Sequence, residues 1–504
     1  MMTEREEDSR KQDYVEHIEP PPLSRRIVYG SLWVFALRIA SRLLQLVSLL
    51  ILARLLMPED FGLMGIVLVT IATLETFSQT GFQAALIQKK DDIREYADTA
   101  WTVHVIRGLL LCSILVLLAP LIAGFFNEER VTPLLRVVAL GLVLRGLTNI
   151  HVLYFQKELQ FSKEFAFQIS GTIVNVAVAI PLAIIYRSVW ALVAGHLAGH
   201  FARLVVSYLL IPAVPHLRLE WAKFKEMFAF GKWVLGSGVL VFFATQGDDI
   251  FVGKFLGAVA LGFYQLAYRI SNTPATEITH VISQVTFPAY SKMQDNIPRL
   301  REAYLKVFQL TTLLSFPVAG MILVLGKDFT RLFLGEKWLP MVPAMQILVI
   351  LGAVRSIAAT AGPVFYAVGK PKIDTLWQIV RVTTLFVLLY PLTTQWGILG
   401  ASIAATLSML ISGSGFLLSA IKTTSLEFGG VVKILIFPST GTVILIVSIL
   451  ALKVCSNIAN ISTFLLIAVA GMLAYTGVIW LSDKFMEYGA LRLLKEQLAA
   501  FRKM

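Results

Sequence analysis

Arg38, Arg42 and Gln45 recur at i, i+4 and i+7 within an apolar run, a spacing that stacks polar side chains on one face of a helix. His196, His200 and Arg203 repeat it, as do Asp374, Gln378 and Arg381. Arg269, Thr273, Thr276 and His280 fall near one face of a further segment. Arg107 beside His104, Arg145 and Arg355 add positive charge at other apolar positions. Ionisable groups in such surroundings are costly and mark a cavity or a functional site by default. These cations are nearly all arginine, whose permanent charge and planar fork suit phosphate or carboxylate oxygens. Arg38, Arg42, Arg107, Arg145, His196, His200, Arg203, Arg269, Arg355 and Arg381 are therefore the candidate binding residues, with an anion as the expected ligand. For any single arginine an interhelical ion pair is an equal alternative, Arg381 with Asp374 or Arg38 with Glu75. The acids are fewer: Glu75, Asp248, Asp249 and Glu277 are the candidates for ion coupling. Gly195 and Gly199 beside the histidines form a GxxxG, which reads as close helix packing.

The elements that must position these residues are membrane-spanning helices. The chain has 504 residues, 57% hydrophobic and 15% charged, with a mean hydropathy of +0.73; a soluble domain carries about 25% charged residues. A span needs ~20 mostly apolar residues. Candidates are 27–53, 60–82, 100–123, 132–155, 165–186, 188–211, 228–253, 258–288, 307–326, 340–366, 373–393, 396–420, 431–453 and 462–482. The segment 258–288 contains Pro274 and Pro288 and is expected to kink. The expected fold is all-α, polytopic, with about fourteen transmembrane helices.

Alternate loops differ in Lys and Arg. The set containing Lys89, Lys90, Arg94, Lys157 and Lys163 is roughly twice as rich as the set containing Arg54, Arg130 and Arg187, which places the rich set and both termini in the cytoplasm. The sequence also looks duplicated. Trp33-Val34 matches Trp233-Val234, Gly62 matches Gly262 and Arg54 stands opposite Lys254, at a shift of about 200; Arg145 matches Arg355 and Gln168 matches Gln378, at about 210. Two parallel six-helix bundles with the substrate site between them are a transporter architecture. The expected organisation is a disordered cytoplasmic tail at 1–26, a first bundle at 27–211, an amphipathic linker at 212–227, a second bundle at 228–420, two additional helices at 421–483 and an amphipathic tail at 484–504. The linker region 215–228, with Leu219, Trp221, Phe224 and Phe228 among basic residues, is expected to form a helix on the cytoplasmic leaflet.

The net charge of +12 falls mostly in short loops or inside apolar segments, which fits topology and an anionic substrate rather than nucleic acid. Cys112 and Cys455 form no metal or disulfide spacing. There is no GxxxxGK[ST], HExxH or GxSxG, and no outer loop large enough for an active site. No metal and no cofactor are expected, and the chain is not read as an enzyme.

The stretch from Ile51 to Gly62, ILARLLMPEDFG, followed by Gly81 to Gln88, GFQAALIQ, resembles the N-terminal signature of the polysaccharide-transport (Wzx-type) flippases, and within them the lipopolysaccharide and colanic-acid exporter branch. That family sits in a superfamily with the multidrug extruders and the lipid II flippases. In relatives an acidic residue often precedes the second glycine, whereas Gln79-Thr80-Gly81 stands here. The resemblance implies alternating-access transport of an undecaprenyl-pyrophosphate-linked oligosaccharide, or one on a comparable polyprenyl carrier, across the plasma membrane. Arg42, Arg203 and Arg381 are the residues expected to hold the pyrophosphate. The implied partners are the lipid-linked oligosaccharide, membrane lipid, and a polysaccharide polymerase and glycosyltransferases; a monomer is expected. The alternatives are a multidrug-type cation antiporter, a lipid II flippase and a membrane glycan polymerase.

Overall fold

The computed structural model describes residues 40–79, 82, 86, 94–158, 160–211, 213–456, 458–486 and 489. Among these there is no strand. The helices are α1 (40–55), α2 (Pro58–Phe77), α3 (Arg94–Phe126), α4 (Val131–Val138), α5 (Leu140–Leu147), α6 (Leu153–Lys157), α7 (Phe161–Tyr186), α8 (Trp190–Leu210), α9 (Trp221–Ser291), α10 (Ile297–Phe329), α11 (Val342–Ala359), α12 (Gly362–Ala367), α13 (Pro371–Thr424), α14 (Phe428–Cys455) and α15 (Ile461–Met486). Ten helical stretches among the described residues are long and apolar enough to cross a membrane. Lipid-facing positions carry bare hydrophobics, Leu117 and Leu209 each 75% exposed, as expected where lipid tails replace water.

Two helices are far too long for one crossing. At 1.5 Å per residue, the 71 residues of α9 and the 54 of α13 would extend far beyond a ~30 Å hydrocarbon core. Each is broken by a glycine with positive φ, Gly257 (φ 84°) and Gly397 (φ 58°). A Cβ at either would meet nothing within 4 Å, so backbone conformation, not space, is what selects glycine there. The breaks fall between the expected spans 228–253 and 258–288, and between 373–393 and 396–420. The second limb of α9 continues to Ser291, through both prolines, with no further non-helical residue. The expected span 132–155 is instead divided into α4, α5, a 3-10 turn at Ile150–Val152 and α6. Buried Asn149 caps the turn by accepting from the His151 N–H, and its Nδ2 donates to the Ala213 carbonyl at 2.8 Å.

The linker differs from expectation. Residues 213–220 are not helical, and α9 starts only at Trp221. Prolines at 212 and 215 oppose helix there, and the segment binds α3 instead. The His216 N–H donates to Asp98, and the Arg218 N–H to the Thr102 hydroxyl, both at 2.9 Å. The expected tail 1–26 and most of 484–504 lie outside the described residues.

One apolar core runs through α2, α3 and α4 into the second limb of α9, α10, α11 and α13. A separate cluster joins α10 to α14 and α15 through Leu313, Leu445, Ile449 and Tyr475, and the Tyr475 hydroxyl donates to the Leu313 carbonyl at 2.9 Å.

Candidate functional site

A cavity of about 730 Å³ opens between α1, α2, α5, α7 and α8 on one side and both limbs of α9 on the other. Its polar lining includes Arg145, His196, His200 and Arg203 from the first side and Asp248, Asp249, Gln265, Tyr268 and Arg269 from α9. Glu75 of α2 also lines it.

Small residues create the space. A Cβ on Gly171 of α7 would lie 2.4 Å from Arg203 Nε, so this glycine lets the guanidinium stem lie flat against α7. A Cβ on Gly199 of α8 would lie 2.8 Å from the Gly171 carbonyl. The GxxxG of α8 is thus a packing motif, and the packing turns His196, His200 and Arg203 toward the cavity. Their i, i+4, i+7 spacing does what it suggests: all three line one wall. The Nε2 atoms of His196 and His200 approach to 3.2 Å. Arg203 Nε is buried without a hydrogen-bond partner. Arg145 forms an ion pair with Glu75. A second pocket of about 340 Å³ shares Arg145, His200 and Arg203 with the cavity and also includes His104.

The remaining candidates separate. Arg107 is not on the cavity lining; its guanidinium donates at 2.9 Å to the Glu75 and Ser78 carbonyls and to the Ser78 hydroxyl, capping the C-terminal end of α2. Such carbonyls lack intrahelical partners, and a cation suits that end of the helix dipole. Arg42 is exposed and donates to Gln45 Oε1 at 3.1 Å; Gln45, not Arg42, lines the cavity. Arg355 and Arg381 stand behind the wall. Arg355 reaches the Tyr268 hydroxyl at 3.4 Å, and Arg381 lies beside Asp248 and Tyr268. Of Arg42, Arg203 and Arg381, from which a common site is expected, only Arg203 lines the cavity. Arg381 also fails to pair with Asp374, whose carboxylate accepts from the Tyr366 hydroxyl at 3.3 Å. Arg38 and the side chains of Glu277 and His280 lie outside the described residues.

Asp248 and Asp249 of α9 each accept a side-chain hydrogen bond. The Tyr264 hydroxyl donates to Asp248 at 2.6 Å, and Gln265 Nε2 donates to Asp249 at 3.0 Å. Gln265 and Tyr268 line the cavity and Tyr264 holds Asp248, and arginine spacing reveals none of the three. A faint signal exists for one of them: a Cβ on Gly65 would lie 2.3 Å from Gln265 Oε1, and the two positions are related by the 200-residue shift.

Beside one end of the cavity, the turn between α10 and α11 packs on α1. A π turn at Thr330–Leu334 and a 3-10 turn at Glu336–Met341 carry Lys337 and Trp338 over the C-terminal end of α1. Lys337 Nζ donates to the Arg54 and Leu56 carbonyls at 2.9 and 2.6 Å, and Trp338 Nε1 to the Ala53 carbonyl at 2.8 Å. In return Arg54 Nε donates to the Phe333 carbonyl at 2.9 Å. Trp338 is fully buried with its ring edge-on to Phe61 and Phe263, and Phe61 lines the cavity.

A bundle of spanning helices around a cavity that three arginines, two histidines and three acids line is the arrangement of a polytopic membrane transporter. The family described as polysaccharide biosynthesis protein matches residues 51–343, and the chain belongs to it. Among similar curated proteins are the lipopolysaccharide biosynthesis protein WzxC of Escherichia coli K12, 26% identical over 82% of each chain, and the teichuronic acid biosynthesis protein TuaB of Bacillus subtilis, 25% identical over 71% of this chain and 74% of the relative. Among solved structures, the lipid II flippase MurJ in an inward closed conformation superposes with a TM-score of 0.76 at 14% identity, covering 90% of this chain and 99% of that one. An inward-facing multidrug resistance MATE family transporter gives 0.56 at 16% identity, over 77% and 95%. These two likenesses are of fold. The protein is a flippase-type transporter of polysaccharide biosynthesis, not an enzyme.

Proposed function

We propose that the cargo is a polyprenyl-pyrophosphate-linked oligosaccharide, carried by alternating access from the cytoplasmic to the outer face of the plasma membrane for a surface polysaccharide. The observation that carries this reading is the cavity wall on which Arg145, Arg203, His196 and His200 converge, with Arg269 across the space. Guanidiniums there can take the phosphate oxygens two at a time. The sugar fills the cavity and the prenyl tail stays among lipid. This revises the expected trio: Arg203, Arg145 and Arg269 are the phosphate ligands, while Arg381 and Arg355 hold α9 to its neighbours. A cation antiporter would need open acids, and Asp248 and Asp249 are each met by a donor.

In the same reading the chain makes fourteen crossings as two six-helix halves related by duplication, with α14 and α15 outside them and both termini in the cytoplasm. The end beside Trp338 is then the outer end. Asp248, Asp249 and Glu75 remain the candidates for ion coupling. Reconstitution in liposomes with a fluorescent short-chain prenyl-pyrophosphate sugar tests the function. Transfer to the far leaflet should require the protein and should fall at least tenfold in Arg203→Ala. Transfer of the sugarless prenyl monophosphate at the same rate would sink the reading.

A further inference from the structure

The ion pair of Glu75 and Arg145 sits in the cavity wall, one residue near the C-terminal end of α2 and the other near that of α5. Both residues line the cavity. Their side chains are 24% and 58% exposed, so the guanidinium is open to whatever enters. The backbone at Glu75 is held independently, by Arg107 on its carbonyl. The pair is therefore not what fixes the end of α2. On the same wall Arg203 Nε has no partner and the two histidines face each other. Asp248 and Asp249 are engaged by Tyr264 and Gln265 of α9, and Glu164 lines the adjoining pocket rather than the cavity.

We propose that Glu75 is a resident counter-ion of the binding site: its carboxylate holds the place on Arg145 that one phosphate of the diphosphate takes, and the arriving diphosphate displaces it. The inference rests on the diphosphate reading above. Facing carboxylate and guanidinium attract each other, so Glu75 occupies the anion position on Arg145 while the cavity is empty. It also sets a threshold. A singly charged phospholipid headgroup offers Arg145 no more charge than the carboxylate already there. A diphosphate offers more, and it reaches Arg203 at the same time. Glu75 is thus a specificity-determining residue that excludes the abundant anionic lipids of the bilayer.

The test is equilibrium binding to the full chain in nanodiscs, with farnesyl pyrophosphate and inorganic pyrophosphate as probes and phosphatidylglycerol as competitor. Glu75→Gln should tighten both probes about threefold to tenfold and let phosphatidylglycerol compete. Arg145→Gln should weaken both, and the double variant should match Arg145→Gln alone. Unchanged or weaker binding in Glu75→Gln, while Arg203→Gln and Arg145→Gln still lose affinity, would overturn the inference: Glu75 would then position Arg145, and the diphosphate reading would stand. Equal binding by the wild type and Arg203→Gln would overturn the diphosphate reading itself. Equal gains for the two probes assign the effect to the phosphates; a gain for the farnesyl ester alone would refute displacement by phosphate.

Discussion

Gly62 and Gly262 press reciprocally on each other's helices: a Cβ on Gly62 would lie 1.7 Å from the Ala258 carbonyl oxygen, and a Cβ on Gly262 would lie 2.0 Å from that of Pro58. Pro58 and Ala258 are themselves related by the 200-residue shift that relates the glycines. An offset contact that returns on itself in this way is what a two-fold axis between α2 and the second limb of α9 produces. It is the observation that best supports the proposed duplication. It also explains why small residues stand at this crossing, where backbone meets backbone.

The crossing therefore predicts that Gly62→Ala and Gly262→Ala are each severe. The neighbour is a carbonyl on a helix, not a flexible side-chain end, so the helices must separate. Overpacking of this kind costs about 1–3 kcal/mol or more. Thermal unfolding in detergent should show a clear drop for both and little change for Gly124→Ala, whose Cβ would meet nothing within 4 Å. Equal stability of the three variants would refute the contact.

The helical architecture is legible in the sequence. Continuous apolar runs and alternating basic loops predict the helices because lipid leaves a chain few other options. The breaks at Gly257 and Gly397 fall where the apolar runs place two spans with almost no loop between them. The helical spacing of His196, His200 and Arg203 predicts a shared wall correctly. The same spacing misleads at Arg42 and Arg381, because periodicity says which residues share a face but not what that face meets. Arg381 meets Asp248 and Tyr268, and Arg107 meets the end of α2. The Trp338 contact leaves no periodic signal at all, since it rests on backbone carbonyls of a helix nearly 300 residues away.

That contact predicts a gate. Lys337→Met removes two charge-assisted hydrogen bonds, worth about 1.5–3 kcal/mol each, and Trp338→Ala removes a buried ring at a cost of about 3–5 kcal/mol. Both should favour opening at the Trp338 end. With Cys112 and Cys455 replaced by serine, a cysteine at Leu52 on the cavity wall should react faster with a membrane-impermeant thiol reagent added outside the cell. Unchanged labelling in both variants would mean the turn is a fixed staple.

The two sets of arginines predict opposite phenotypes. Arg203 lines the cavity with a free Nε, so Arg203→Ala should leave the amount of protein normal and reduce export; loss of one charge-assisted bond of about 1.5–3 kcal/mol corresponds to roughly tenfold to a hundredfold weaker binding. Arg381 stands beside Asp248 behind the wall, so Arg381→Gln should leave that carboxylate without its nearest cation. A buried carboxylate that loses a neighbouring cation is destabilising, and less protein should accumulate. Neutralising the partner as well should restore it: Arg381→Gln with Asp248→Asn should accumulate better than Arg381→Gln alone, the signature of coupled residues in a double-mutant cycle. Immunoblots of membranes, read beside surface-polysaccharide yield, separate the cases. If Arg381→Gln accumulates normally and abolishes export, Arg381 belongs with Arg203 in the binding set and the division between wall and support is wrong.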